Sequence, residues 1–302
     1  MGGLSRRIRD YLKAVSTIAL GRTIAGRKLS VLPGDIFLAS YPKSGNTWIR
    51  FLIGNLISPE DPVTFANVEQ RVPSIYAFPD RVLRTLPRIL KSHECFDPRY
   101  PKVIYILRDP RDVAVSFYHY NVKVRRIPDD YPMDKFVARF VDATIARDVD
   151  RFGSWGDNVL SWVRMRQGKP GFILLRYEDI LQNPERELSK VASMLQMEVT
   201  PERLSQAVKL SSADRMRTLE KQQSQQWTLT KDSRQDKPFI REARSGGWRK
   251  SLSETSVRRI EEAWGATMQD FGYELSLSPE NPLEGHLQTW GEDGTAHSGA
   301  VR

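Results

Sequence analysis

The chain has 302 residues, of which 40% are hydrophobic and 27% are charged, an ordinary composition for a globular protein with a buried core. Its 46 Lys and Arg residues outnumber its 37 Asp and Glu residues, and the resulting net charge of +9 favours an anionic partner. The chain has neither basic–aromatic repeats nor zinc-ligand spacings, so we do not predict nucleic acid as that partner. The single cysteine, Cys95, excludes an internal disulfide and predicts a cytoplasmic location.

Residues 1–30 are predicted to form a basic amphipathic helical segment, because lysines and arginines alternate there with apolar residues at helical spacing. The apolar stretch within it is too short and too interrupted to span a membrane. Two interpretations stay open. The segment could pack on the domain as a solvated leading helix, or it could make a peripheral contact with an anionic membrane surface.

Residues 35–56 carry the strongest functional signal of the chain. An apolar run at Asp35–Ser40 predicts a buried strand, and Thr47–Leu56 predicts a buried helix. The turn between them, YPKSGN at residues 41–46, places a lysine, a serine and a glycine at a helix N-terminus, where unpaired N–H groups and the helix dipole favour an anion. It does not match the Walker motif, whose lysine directly follows a glycine, so we expect an anion transfer that does not depend on a metal.

A second predicted strand, residues 88–93, ends on His93, one of only four histidines in the chain. The carboxyl ends of strands are where open α/β sheets place their chemistry, so His93 is a candidate general base.

The clearest strand is Lys102–Leu107, and Arg108 follows it directly. A helix is predicted to begin at Pro110 with Asp109 as its N-cap. Ser116 lies about two turns along that helix, where its hydroxyl and the Arg108 fork could converge on one phosphate. The alternative is that the charged residues at 108–112 form a structural salt-bridge cluster.

The remaining predicted elements alternate in type. They are helices at Met133–Asp148 and Trp155–Arg166, a strand at Gly171–Arg176 followed by Tyr177, helices at Glu185–Met197 and Pro201–Leu210, a mobile polar loop at 221–247, and a closing helix at Ser253–Phe271. Apolar strands that alternate with helices predict one three-layer α/β domain over residues 31–275, with a central parallel sheet flanked by helices. Residues 276–302 lack apolar periodicity and are predicted to be a disordered tail.

These motifs, in this order, resemble those of the sulfotransferases that use 3′-phosphoadenosine 5′-phosphosulfate (PAPS). The resemblance covers about residues 33–273, and five segments carry it. They are the P-loop-like turn at 41–48, similar to the 5′-phosphosulfate loop; Lys91-Ser92-His93, similar to the segment of the catalytic base; residues 108–116, similar to the 3′-phosphate motif; residues 177–179, similar to the adenine-side motif; and residues 239–249, similar to the closing loop.

The resemblance implies PAPS as co-substrate, no metal, and two catalytic residues, His93 as the base and Lys43 at the bridging oxygen. It also implies a set of nucleotide-binding residues: Lys43, Ser44, Gly45, Asn46, Thr47, Trp48, Arg108, Ser116, Tyr177, Arg241, Ser245 and Gly246.

The sequence departs from the pattern of the cytosolic enzymes in three places. The closing loop reads Arg241-Glu242-Ala243 where Arg-Lys-Gly is usual, so one charge is reversed. Ala213 stands where an aromatic residue would contact adenine. The short dimer motif of the family is not matched, which leaves the oligomeric state open.

The predicted reaction is in-line transfer of the sulfuryl group to a hydroxyl or amine. Five aromatic residues suggest a small apolar, phenolic or lipid-like acceptor: Phe65, Tyr76, Phe78, Tyr120 and Tyr131. Two alternatives remain, an ATP-dependent kinase of P-loop-like fold and a non-catalytic nucleotide-binding protein.

Overall fold

The computed structural model describes residues 30–77, 88–145, 152–227 and 229–276. The predicted amphipathic segment, apart from Ser30, and the predicted tail, apart from Ser276, lie outside the described residues, as does Phe78.

The four strands are β1 (Ile36–Ser40), β2 (Ile89–Ser92), β3 (Lys102–Leu107) and β4 (Phe172–Arg176). They form one parallel sheet in the order β2-β1-β3-β4. Parallel sheets are covered on both faces, which is why β1, β3 and β4 consist mainly of apolar residues. The predicted parallel sheet is therefore confirmed.

The helices described are α1 (Asn46–Ile57), α2 (Val68–Arg71), α3 (Pro110–Lys123), α4 (Met133–Val141), α5 (Trp155–Arg166), α6 (Tyr177–Gln182), α7 (Pro184–Met194), α8 (Pro201–Leu210), α9 (Ala213–Gln223), α10 (Trp248–Ser251) and α11 (Glu254–Asp270).

Alternate residues of β1 belong to different hydrophobic clusters, one on each face of the sheet. Phe37 lies in a core with residues of α3, α4, α5 and α11. Leu38 lies in a second core with residues of α1, α7 and α8. Because side chains of a strand alternate between faces, this division produces the predicted three layers, with helices on both sides of the sheet.

Side-chain caps set two helix starts that the sequence predicted. The Asp109 side chain accepts a hydrogen bond from the Arg111 N–H at 2.9 Å, and Pro110 is the first residue of α3, as expected. Ser253 caps α11 in the same way through the Ser256 N–H.

Other predicted bounds were wrong for identifiable reasons. Asp35 precedes β1 because its buried carboxylate pairs with Arg88 at 2.7 Å and also accepts the Leu32 N–H. Helix α4 ends at Val141, not at Asp148, since Ala143 turns the backbone to a φ of +54°. Helix α9 was not predicted, because its many polar residues leave little apolar periodicity.

The segment at 221–247 is not the free loop that the sequence suggested. Residues 221–223 complete α9, and two buried charges on helices bind backbone groups between residues 234 and 240. The Glu220 carboxylate accepts the Phe239 and Ile240 N–H groups at 2.5 and 2.9 Å. The Lys123 ammonium donates to the Arg234 and Lys237 carbonyls at 3.0 and 2.5 Å.

Candidate active site

The carboxyl ends of all four strands meet at one edge of the sheet, and each is followed by a predicted site residue. Lys43 follows β1, His93 follows β2, Arg108 follows β3 and Tyr177 follows β4. The strand order also reverses between β1 and β3, which is where open α/β sheets bind their ligands. The fold therefore collects at one place residues that are far apart in the sequence.

The turn after β1 is shaped to receive an anion. Gly45, at the N-cap of α1, has a φ of +98° and gives the helix no side-chain cap, so the N–H groups of its first turn are not used by the helix. Ser44 is buried, and its Oγ has no hydrogen-bond partner among the described residues. Unpaired buried donors of this kind are costly without a ligand, and they fit phosphate oxygens.

Gly45 also lies directly under the Tyr177 ring. A Cβ at Gly45 would lie 2.5 Å from Cδ2 and 2.7 Å from Cε2 of Tyr177, closer than two carbons can approach. Only a glycine combines this contact with a left-handed backbone.

We therefore expect Gly45→Ala to lower the free energy of unfolding by about 2–4 kcal/mol, since backbone strain and overpacking add. Gly168→Ala is the matched control, because Gly168 has a φ of +75° but open space around it. That variant should lose only about 1–2 kcal/mol from backbone strain. Denaturant unfolding measures both, and equal losses would contradict the proposed contact with Tyr177.

Lys43 is held by two aromatic rings. Its Nζ lies 4.4 Å from the centre of the Tyr120 ring and 4.2 Å from that of Phe239. Burial, together with the charges of Arg108 and Lys91, lowers the pKa of Lys43 to about 7. The ammonium therefore carries a charge that the two rings only partly compensate, and an incoming anion would stabilise it.

His93 has a fixed orientation and a defined tautomer. Its Nδ1 lies 2.8 Å from the Ser40 carbonyl oxygen at the end of β1. Because a carbonyl only accepts, Nδ1 carries the proton and Nε2 keeps its lone pair. Burial and the nearby Lys91 charge hold the pKa of His93 well below its usual 6.5. The ring is therefore neutral near pH 7, as a general base must be.

Aromatic rings surround the imidazole of His93. The Tyr76 ring lies nearly parallel to it at 6.3 Å, and the Phe152 ring stands edge-on at 5.9 Å. The Tyr76 hydroxyl accepts the His93 N–H at 2.9 Å, so Tyr76 also fixes the backbone of the candidate base. These rings make an apolar wall on the side of the site next to His93.

Lys91 is a buried cation that the sequence analysis did not select as a site residue. Burial and the Arg50 charge lower its pKa to about 7. Its Nζ lies 5.3 Å from the centre of the Tyr76 ring, and its charge acts on both His93 and Lys43. Its position two residues before His93, in a segment that the sequence predicted as one strand, was the signal available in the sequence.

Arg108 connects the turn after β1 with the late closing segment, residues 239–249. Its guanidinium donates to the Lys43 carbonyl and to the Arg244 carbonyl, each at 3.2 Å. The Tyr177 ring stacks on it at 4.2 Å, and Nε has no partner among the described residues. Trp48 meets the Tyr177 ring edge-on at 5.6 Å. Two aromatic rings thus lie beside the cationic turn, an arrangement that suits a purine.

The charged residues at 108–112 divide between site and scaffold. Arg111 pairs with Asp109 at 2.8 Å and with Glu261 at 2.6 Å, and so it forms the structural cluster named as the alternative. Asp112 accepts the Gly246 N–H at 2.7 Å and the Trp248 N–H at 3.0 Å. Asp112 therefore fastens the closing segment to α3.

Not every predicted residue takes part in these contacts. The side chains of Ser116, half-buried on α3, and of Ser245, exposed on the closing segment, make no hydrogen bond within the described ranges. The Asn46 amide turns back to the Leu38 carbonyl and Ser40 Oγ, at 3.2 and 3.1 Å, so its side chain supports β1. Phe65 is a core residue packed on Phe51, not a pocket residue as the sequence suggested.

Two kinds of feature are absent from the part of the chain that the structure describes. Within those four ranges, no helix is both long and apolar enough to cross a bilayer. No group of three or more His, Cys, Asp or Glu side chains suited to a metal ion occurs in the same ranges.

A parallel sheet, an anion cradle after β1 and a neutral imidazole after β2 define an α/β protein that can hold an anionic ligand next to a basic nitrogen. Comparison with known proteins narrows that class. The family model of the sulfotransferase domain matches residues 33–272, so this chain belongs to the PAPS-dependent sulfotransferase family. It is 28% identical to mouse sulfotransferase 1B1 over 254 residues, which is 78% of this chain and 83% of that protein. It is also 28% identical to human sulfotransferase 2B1 over 265 residues, which is 82% of this chain and 69% of that protein.

Solved structures agree on the fold. Retinol dehydratase, in a complex with androsterone and the inactive cofactor PAP, superposes with a TM-score of 0.64 at 18% identity, over 80% of this chain and 82% of that one. Mouse sulfotransferase SULT7A1, complexed with PAP, superposes with a TM-score of 0.60 at 20% identity, over 80% of this chain and 87% of that one.

Proposed function

We propose that this chain transfers the sulfuryl group of PAPS to a hydroxyl or amine of a small, apolar or lipid-like acceptor, with His93 as the base. The observation that carries the proposal is the meeting of Lys43, Arg108 and the neutral His93 at one edge of the sheet. PAPS supplies an already activated sulfuryl group, so these residues need only position the reactants, remove a proton and stabilise charge.

The residues present fit this nucleotide. Lys43 and the N–H groups of the turn at 44–48 would hold the 5′-phosphosulfate, where Ser44 Oγ has no partner among the described residues. Arg108, with Ser116 and Arg241, would hold the 3′-phosphate. Trp48 and Tyr177 would contact adenine, the former through its ring face.

Proton removal falls to His93 Nε2, because Nδ1 is committed to the Ser40 carbonyl. Lys43 would stabilise the negative charge that grows on the leaving oxygen, which requires its ammonium form. Its pKa of about 7 in the free protein would rise beside the phosphosulfate, since a neighbouring negative charge favours the cation.

The apolar wall next to His93 favours a hydrophobic acceptor. Tyr76 and Phe152 flank the imidazole, and Tyr120 lies beside Lys43. A hydroxyl carried on a ring or an alkyl chain could enter there without leaving charges unpaired, whereas a polysaccharide would find few hydrogen-bond partners. A peripheral membrane contact through residues 1–30 remains a prediction.

The test is turnover of radiolabelled PAPS with a panel of alcohols, phenols, sterols, amines and oligosaccharides, in the presence of EDTA. We expect transfer to hydrophobic alcohols or phenols, and none to the oligosaccharides. Transfer from ATP that requires magnesium would support the kinase instead. Nucleotide binding without turnover on any acceptor would support the non-catalytic protein.

A further inference from the structure

The closing segment is fixed at both ends independently of any ligand. At its start, Glu220 binds the N–H groups of Phe239 and Ile240. Near its end, Asp112 binds those of Gly246 and Trp248. The side chains between these anchors are therefore presented to the site by a backbone that is already in place.

Three charged side chains lie between the two anchors, and the middle one is an acid. One oxygen of Glu242 lies 3.3 Å from Nη1 of Arg241, and the other lies 2.6 Å from Nε of Arg244. A single carboxylate thus bridges two arginines, as an anionic ligand would.

Without the Glu242 carboxylate, the region around Arg241 would carry an excess of positive charge. Arg108 donates to the Arg244 carbonyl. Burial and the charge of Arg108 lower the pKa of Arg241. His119 is half-buried nearby on α3, and burial with the Arg241 charge lowers its pKa to about 4, so it stays neutral and adds no charge. Burial opposes ionisation of Glu242, yet its ion pairs keep the pKa of Glu242 below the usual range.

We propose that Glu242 is an internal anion that occupies Arg241, which the 3′-phosphate of the nucleotide needs, together with the neighbouring Arg244. Binding of PAPS or of its product PAP would have to displace this carboxylate or repel it. Glu242 would therefore weaken binding of nucleotides that carry a 3′-phosphate and speed release of PAP. The inference rests on the proposed function, because it assumes that the bound nucleotide has a 3′-phosphate near Arg241.

The test compares two nucleotides that differ only in that phosphate. Affinities of PAP and of adenosine 5′-phosphate are measured by calorimetry for the wild type, Glu242→Gln and Glu254→Gln. Glu254→Gln is the matched control, because it removes an exposed carboxylate paired with Arg258 at 3.3 Å on α11, and so changes the net charge equally.

We expect Glu242→Gln to bind PAP about 3- to 10-fold more tightly, in keeping with two partly exposed ion pairs. Adenosine 5′-phosphate should bind the wild type and Glu242→Gln with equal affinity. Glu254→Gln should bind PAP with the affinity of the wild type. The gain should shrink at high salt, because exposed charges are screened. Glu242→Lys should increase PAP affinity further.

Other results would overturn the inference. Weaker PAP binding by Glu242→Gln would mean that the carboxylate positions the arginines. An equal gain for both nucleotides, or the same gain in Glu254→Gln, would mean a general charge effect. A wild type that binds no PAP would instead reject the proposed function, so the two failures are distinct.

Discussion

Replacing Lys43 by methionine should lower kcat by about 10²- to 10³-fold, the loss typical of a removed group that stabilises charge in the transition state. The Lys43 side chain lies between the rings of Tyr120 and Phe239. A methionine side chain can fill the space between these rings, so the protein should fold normally. Single-turnover rates with saturating PAPS measure the chemical step. Exposed Lys209 on α8 provides the control, since Lys209→Met removes the same charge from the protein surface.

The pH dependence of nucleotide binding gives an independent check on Lys43. With a pKa of about 7, its ammonium is fully charged well below that pH and is lost as the pH rises through it. A bound anion favours the charged form, so binding takes up a proton at alkaline pH and PAP affinity should fall from pH 7 to 9. In Lys43→Met this fall should be smaller but still present, because Lys91 also has a pKa of about 7. An unchanged slope and a kcat within threefold of the wild type would remove Lys43 from the mechanism.

Replacing His93 by glutamine should lower kcat by at least about 10²-fold, because a glutamine can donate to the Ser40 carbonyl but cannot take a proton. The loss should depend on the acceptor. An acidic nitrophenol, which is largely ionised without help, should lose far less than an aliphatic alcohol. A residue that only supported the fold would reduce both rates alike. Thermal unfolding of the variant distinguishes this outcome from general destabilisation.

The low pKa of His93 fixes the direction of its pH profile. The ring gains a proton only as the pH falls below its depressed pKa, so kcat/KM for the acceptor, measured with saturating PAPS, should stay level from pH 7.5 down to below 6.5 before it declines. His93→Gln should lack that acidic decline. A decline in the wild type centred at or above 6.5 would show that the imidazole is not held neutral as the structure indicates.

The sequence was informative where local chemistry decides structure. The apolar runs at β1 and β3 and the Asp109–Pro110 helix start were predicted because each depends on neighbours in the chain. The cluster of strand ends followed from a general property of parallel sheets, together with the resemblance to a family. Candidate site residues could therefore be proposed from the sequence, but their contacts could not.

What the sequence did not show depends on contacts between distant segments. The tautomer of His93 is set by Ser40, 53 residues earlier in the chain. The polar stretch after α9 looked mobile, yet Glu220 and Lys123 bind its backbone. Phe65 was predicted to line a pocket because the sequence does not distinguish an aromatic residue of the core from one that lines a binding site.

The arrangement of strand ends has an evolutionary consequence. Lys43, His93 and Arg108 lie within three residues of the strand ends, whereas Tyr76 and Phe152 belong to connecting stretches farther from the strands. Exchange of those connections can alter which molecules reach the imidazole while the termini stay as they are. Enzymes descended from one ancestor could thus come to accept different substrates while they keep the same catalytic residues. Engineering of new acceptor specificity should therefore begin with random substitution in the connecting stretches.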